Sequence, residues 1–87
     1  MSYDIEISDD ARRSFTKLDR KIAQRIYTKL KAIADSDNPF LHIKKLTGVE
    51  LFSLRVGDYR VVLDIRRGKL LILVVKIGHR RNVYEGM

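Results

Sequence analysis

The stretch LRVGDYRVV, Leu54 to Val62, decides how the second half of this chain folds. Two β-prone runs flank Gly57-Asp58, and a glycine followed by a small turn residue between such runs predicts a tight two-residue hairpin. Closing the chain there pairs Val56 with Tyr59 and sets Arg55 directly opposite Arg60. Like charges facing each other on one sheet face cost roughly a few tenths of a kcal/mol or more. The arrangement makes physical sense if an anion visits, because a phosphate between two guanidinium groups turns repulsion into charge-assisted hydrogen bonds. The alternative is that both side chains splay into water, or pair with Asp58 and Asp64, and contribute only solubility.

On either side of this hairpin the pattern predicts strands over 51–56, 59–66 and 69–78, with Arg67-Gly68 as a second, less well-marked turn. If that turn closes symmetrically, Leu63 faces Ile72, Val61 faces Val74 and Ile65 faces Leu70. Together with Phe52 and Leu54 these residues form one apolar face. The other face then carries Ser53, Arg55, Arg60, Val62, Asp64, Leu71, Leu73, Val75 and Ile77, with His79 on the same side if the strand continues.

Upstream, SYDIEIS alternates apolar and polar residues, which places Tyr3, Ile5 and Ile7 on one face of a strand. Ser8-Asp9-Asp10 supplies an N-cap and first-turn acids for a helix containing Ala11, Phe15 and Leu18. Asp19 caps a second helix whose apolar stripe is Ile22, Ile26, Leu30 and Ile33, and SDNP ends it near Asp35. The segment FLHIKKLTGVE reads as a connector. The expected fold is a small α+β domain spanning residues 1–87, an antiparallel sheet with two N-terminal helices packed on one face.

Composition narrows the function. With 87 residues, 45% hydrophobic and 33% charged, the chain reads as one soluble globular domain. Cysteine is absent, and His42 and His79 match no metal-ligand spacing, so no metal and no cofactor is expected. The longest apolar run, Leu70 to Val75, is too short to span a bilayer, and MSYDIEISDD lacks the features of a signal peptide, so the expected location is the cytoplasm, without a membrane. Net charge is +7. Residues 1–41 hold eight basic and seven acidic side chains, whereas residues 42–82 hold ten and three, so the excess sits in the second half. That asymmetry points to a polyanionic partner, either nucleic acid or an acidic protein.

Arg80, Arg81 and His79 join Arg55 and Arg60 where the last strand runs out. His79 and Tyr84 are the side chains near this patch suited to proton transfer, since nearby cations favour the phenolate of a tyrosine. Taken singly, each is explained more simply as structural, a solvated histidine and a tyrosine packed on the sheet. Lys44 and Lys45 could track a nucleic-acid backbone or form a solvated loop.

KKLTG, then LRVGDYRVV, then VVKIGHRRNVYEGM resembles the RelE branch of the RelE/ParE toxin superfamily, over nearly the whole chain. The resemblance implies a RelE-like, microbial-RNase-like fold and the toxin of a type II toxin–antitoxin pair, a metal-independent endoribonuclease that cuts mRNA in the ribosomal A site. It also implies a RelB-like antitoxin that forms a hetero-oligomer with the toxin and blocks its basic surface. Arg55 stands where the family often has a lysine, Arg60 matches the arginine of its GYR motif, Arg80 matches the arginine after the last-strand glycine, and Tyr84 matches the tail tyrosine. A second lysine of some members is Ser53 here. On this basis Tyr84 is expected to be the base, Arg60 and Arg80 to hold the phosphate with help from Arg55, and His79 to protonate the leaving group, with Lys44, Lys45 and Arg81 binding RNA. The competing readings are a ParE-like inhibitor of DNA gyrase and a non-catalytic RNA- or protein-binding module.

Overall fold

The computed structural model describes residues 2–85. Strand β1 (Asp4–Ile7) is followed by helix α1 (Asp9–Lys17) and helix α2 (Arg20–Asp35). Both helices start where the sequence supplies a cap. The Ser8 hydroxyl accepts from the Ala11 amide at 3.1 Å, and the Asp19 carboxylate accepts from the Lys21 amide at 3.0 Å. Helix α2 ends at Asp35, before Pro39 opens a short 3-10 turn over Pro39–His42 that Asn38 caps. Strands β2 (Lys44–Lys45), β3 (Phe52–Val56), β4 (Tyr59–Arg66) and β5 (Leu71–His79) complete the chain.

The sheet has the order β1-β5-β4-β3-β2. Pairing is antiparallel from β2 to β5, but β1 joins β5 in parallel, so the sheet is mixed at this edge rather than antiparallel throughout. Period-two patterning reports which face a residue takes and not the direction of its neighbour, and for that reason β1 gave no hint of this. Lys44 and Lys45, read as part of a loop, pair with Ser53 and Phe52 as a two-residue edge strand. Both helices cover one face. Ile26, Leu30 and Ile33 of α2 meet Leu63, Ile72 and Val74 of the sheet in a core at most 3% exposed. Fully burying such a side chain stabilises the fold by about 1.5–3 kcal/mol.

The Leu54–Val62 hairpin has the register expected, with Arg55 opposite Arg60 and Val56 opposite Tyr59. Gly57 sits at φ +59°, and Leu70 is the one non-glycine described residue with positive φ, so the turn is of the kind that needs glycine at its first central position alone.

The second turn differs. The chain makes a 3-10 turn over Arg67–Lys69 and Leu70 takes a left-handed conformation, so the connection is longer than two residues. Ile65 therefore faces Ile72, and Leu63 faces Val74, a slip of two residues that keeps the same side chains on the helix face. A β-bulge then interrupts the β4–β5 ladder: Leu63 pairs with Val74 but Val62 pairs with Lys76, which leaves Val75 as the extra residue. One inserted residue exchanges the faces beyond it. Ile77, expected on the open face, is buried in the core opposite Val61, and His79, expected beside Arg60, lies opposite Tyr59 on the helix side, where the two rings meet edge to face at 5.6 Å. Ser8 fastens the bulge, since its hydroxyl donates to the Val75 carbonyl at 2.8 Å while its amide donates to the Val74 carbonyl at 2.9 Å.

Candidate functional site

The face away from the helices is open, and its two ends differ in charge. Toward β1 it presents Asp4, Leu71 and Arg66 in one row and Glu6, Leu73 and Asp64 in the next. Beyond the bulge come Lys76, Val62, Ser53 and Lys44 in one row, then Gly78, Arg60 and Arg55. The bulge thus places Lys76 and Gly78 where uninterrupted alternation places Ile77 and His79.

Gly78 makes this placement matter. The chain turns back after β5, with the His79 carbonyl accepting from the Asn82 and Val83 amides at 2.9 Å each, and Val83 lands on Gly78. A Cβ at Gly78 would stand only 3.3 Å from the Val83 Cβ, so the missing side chain is what lets Val83 sink to 1% exposure. With Val83 anchored, Tyr84 comes to rest over β3, its phenol 2.7 Å from the Ser53 hydroxyl. The Lys76 ammonium then donates to the Glu85 carbonyl at 2.9 Å. Buried Val83 is what carries a half-exposed tyrosine onto the basic face.

An open cleft of about 590 Å³ results, lined by Ser53, Arg55, Arg60 and Tyr84 on one side and by the connector from Leu41 to Thr47, with His42, Lys44 and Lys45, on the other. The acidic side chains that might have neutralised the arginines are taken: Asp58 lies 3.8 Å from Arg80 and Asp64 lies 3.3 Å from Arg66. Among the described residues neither Arg55 nor Arg60 has a carboxylate partner. Arg60 instead donates through Nη1 to the Gly57 and Tyr59 carbonyls at 3.0 and 2.9 Å, which holds its guanidinium at the turn. The Arg55 carbonyl accepts from Lys29 of α2 at 3.1 Å, and the Arg25 guanidinium lies against Gly57, so the hairpin is gripped by basic side chains from behind as well. Two arginines opposite each other in the ladder, without carboxylate partners and in a concave surface, are an arrangement that can take an anion.

Of the residues singled out in the sequence, Arg55, Arg60, Tyr84, Lys44 and Lys45 line this cleft. Lys45 also contacts Glu50 at 3.4 Å. Arg80 and Arg81 are not among the residues that line the cleft: the Arg80 amide donates to the Asp58 carbonyl at the hairpin turn at 2.8 Å, and Arg81 is exposed beside it in the tail. His79 stands apart, on the far side of the sheet, and its Nδ1 accepts from the Arg81 amide at 3.2 Å. Ser53, noted in the sequence only for not being lysine, and His42 also line the cleft, and Lys76, which no alternation count puts on this face, stands in the same sheet row as Ser53. Among the described residues no three His, Cys, Asp or Glu side chains come close enough to hold a metal ion, and no helix is long and apolar enough to cross a membrane.

Comparison with known proteins agrees with this architecture. Residues 5–84 match the model of the ParE toxin of the type II toxin–antitoxin system parDE. A RelE-like toxin protein of Escherichia coli is 34% identical over 83 residues, covering 92% of this chain and 85% of that protein. Among solved structures, the toxin–antitoxin complex RelBE of Mycobacterium tuberculosis superposes with a TM-score of 0.82 at 22% identity, over 94% of this chain and 95% of the matched one. The archaeal RelE–RelB complex of Pyrococcus horikoshii gives 0.79 at 21%, over 95% and 100%. The family-model match over nearly the whole chain and the RelE-like relative together place this chain in the RelE/ParE superfamily, as a toxin of the type II toxin–antitoxin class.

Proposed function

We propose that the protein is a ribosome-dependent, metal-independent endoribonuclease that cleaves mRNA in the ribosomal A site. The observation that carries this reading is the cleft shared by Arg55, Arg60 and Tyr84, which joins an unpaired guanidinium pair to a fixed phenol. RNA brings its own nucleophile, the 2′-hydroxyl, so the protein has to accept that proton, neutralise charge building on phosphorus and assist departure of the 5′-oxygen. In the proposed reaction Tyr84 acts in its phenolate form and takes the 2′-hydroxyl proton, becoming the neutral phenol as the new O–P bond forms. Arg55 and Arg60 hold the non-bridging oxygens, Arg80 supports them from the turn, and Lys44, Lys45 and Arg81 follow the strand on either side. The bond to the 5′-oxygen then breaks, leaving a 2′,3′-cyclic phosphate and a 5′-hydroxyl that has gained a proton. His42 lines the cleft and His79 does not, which makes His42 the imidazole suited to donate it.

On this reading the 87 residues act as one toxin domain in the cytoplasm, and a RelB-like antitoxin forms a hetero-oligomer with it. Support for such a partner is that the matched solved structures include complexes of RelE with RelB. Single-turnover cleavage on programmed ribosomes is the test. Tyr84→Phe is expected to slow cleavage about 100- to 10,000-fold with ribosome binding retained, as loss of a positioned base does. Arg60→Ala is expected to weaken both. A Tyr84→Phe variant that cuts at the wild-type rate removes the tyrosine from the mechanism.

A second reading, inhibition of DNA gyrase, is favoured by one observation, that the matching family model is that of ParE. Trapped gyrase–DNA breaks in cells making the toxin, with intact mRNA, are the outcome that selects it.

A further inference from the structure

Ser53 is the one polar side chain that the fold buries among the described residues, at 7% exposure. A buried hydroxyl is costly unless it is hydrogen-bonded, and this one bonds to the Tyr84 phenol, 31 residues further along the chain. The backbone of the tail does not need that bond. Val83 already sits against Gly78, and Lys76 already holds the Glu85 carbonyl. What Val83 and Lys76 leave undetermined is where the phenol oxygen points, because Tyr84 is 40% exposed.

We propose that Ser53 is a positioning residue for Tyr84, its buried hydroxyl fixing the phenol oxygen in the cleft with Arg55 and Arg60 and serving that oxygen in both of its protonation states. The proposal rests on the nuclease reading above. A serine hydroxyl has one donor and two acceptor lone pairs. When the phenol is ionised, Ser53 donates to its oxygen. Once that oxygen has taken the 2′-hydroxyl proton, the phenol O–H turns to Ser53, which accepts. No proton leaves Ser53 over the cycle, so the serine orients the base without entering the proton balance. Alanine offers neither half of this exchange, whereas threonine offers both and suits a strand position.

The full chain is tested on programmed ribosomes under single-turnover conditions, as wild type, Ser53→Ala, Ser53→Thr, Tyr84→Phe and the Ser53→Ala/Tyr84→Phe double variant. Ser53→Ala is expected to lower the saturating rate about ten- to a hundredfold, the usual weight of a hydrogen bond to a charged group, with the half-saturating toxin concentration unchanged. Ser53→Thr restores most of the rate, and in the Tyr84→Phe background the alanine adds no further loss. NMR of tyrosine-labelled protein reads the same bond without cleavage, with Tyr84 ring signals that move in Ser53→Ala and stay in Ser53→Thr. A wild-type rate for Ser53→Ala beside a slow Tyr84→Phe overturns the positioning role, as does a further loss in the double variant. A wild-type rate for Tyr84→Phe is a different failure, that of the tyrosine as base, and the ring signals then report the Ser53 bond by itself.

Discussion

Arg55 and Arg60 are held opposite each other at a cost to the sheet, and no carboxylate among the described residues relieves it. Replacing Arg55 with threonine, a good strand residue, is therefore expected to stabilise the protein by about 0.2–1 kcal/mol in urea denaturation while impairing RNA cleavage. A lower midpoint for Arg55→Thr counts against the idea that the pair is kept for binding. Two glycines separate two kinds of constraint. At Gly57 there is room for a methyl group, the nearest atom being an Arg25 nitrogen at 3.6 Å, but φ is +59°. Gly57→Ala should lose about 1–2 kcal/mol through backbone strain alone and leave the tail in place. At Gly78 the backbone is ordinary and space is short, with Val83 Cβ at 3.3 Å and Cα at 3.4 Å. Gly78→Ala should lose about 1–3 kcal/mol by overpacking and, unlike Gly57→Ala, shift the Tyr84 ring signals and slow cleavage.

Strand β5 shows what patterning can and cannot reveal. The hairpin at Gly57-Asp58, both helix caps and the end of α2 were all readable because each depends on neighbours in sequence: a turn glycine, a capping oxygen, a proline. The bulge was not. Leu70 to Val75 is apolar at every position, so no alternation marks where one residue is extra, and the faces of Ile77 and His79 came out reversed. The residue that fixes the bulge, Ser8, lies 67 positions from Val75 and reads from sequence as a helix cap only. Because it does both, Ser8→Ala is expected to lose more than the about 0.5–2 kcal/mol of a cap, since the Val75 carbonyl also loses its donor. Hydrogen exchange that is faster in β5 as well as in α1 distinguishes this from loss of the cap alone. The cleft was half readable. Its arginines follow from a local turn, while Ser53 and His42 enter it through tertiary placement.

Charge is distributed over the molecule as unevenly as over the chain. The open face has Asp4, Glu6 and Asp64 with the single cation Arg66 toward β1, and Lys44, Lys76, Arg55 and Arg60 past the bulge. Binding to a nucleic-acid strand through Arg55, Arg60, Lys44, Lys45, Arg80 and Arg81 should weaken steeply with salt. At about 0.7 per phosphate contacted on a single strand, these side chains together give a log–log slope near −4, and Lys44→Ala should make it shallower by about 0.7. A slope near zero in filter-binding titrations rules out this surface as an RNA track.

Strand β5 lies in the interior of the sheet, bonded to β1 on one side and β4 on the other, and it delivers the tail that bears Tyr84. During synthesis β1 emerges first and has nothing to pair with until the segment that completes the sheet clears the exit tunnel. For a protein proposed to disable ribosomes, this order of assembly means that the surface bearing Tyr84 is finished only once the last strand has inserted between the first and the fourth.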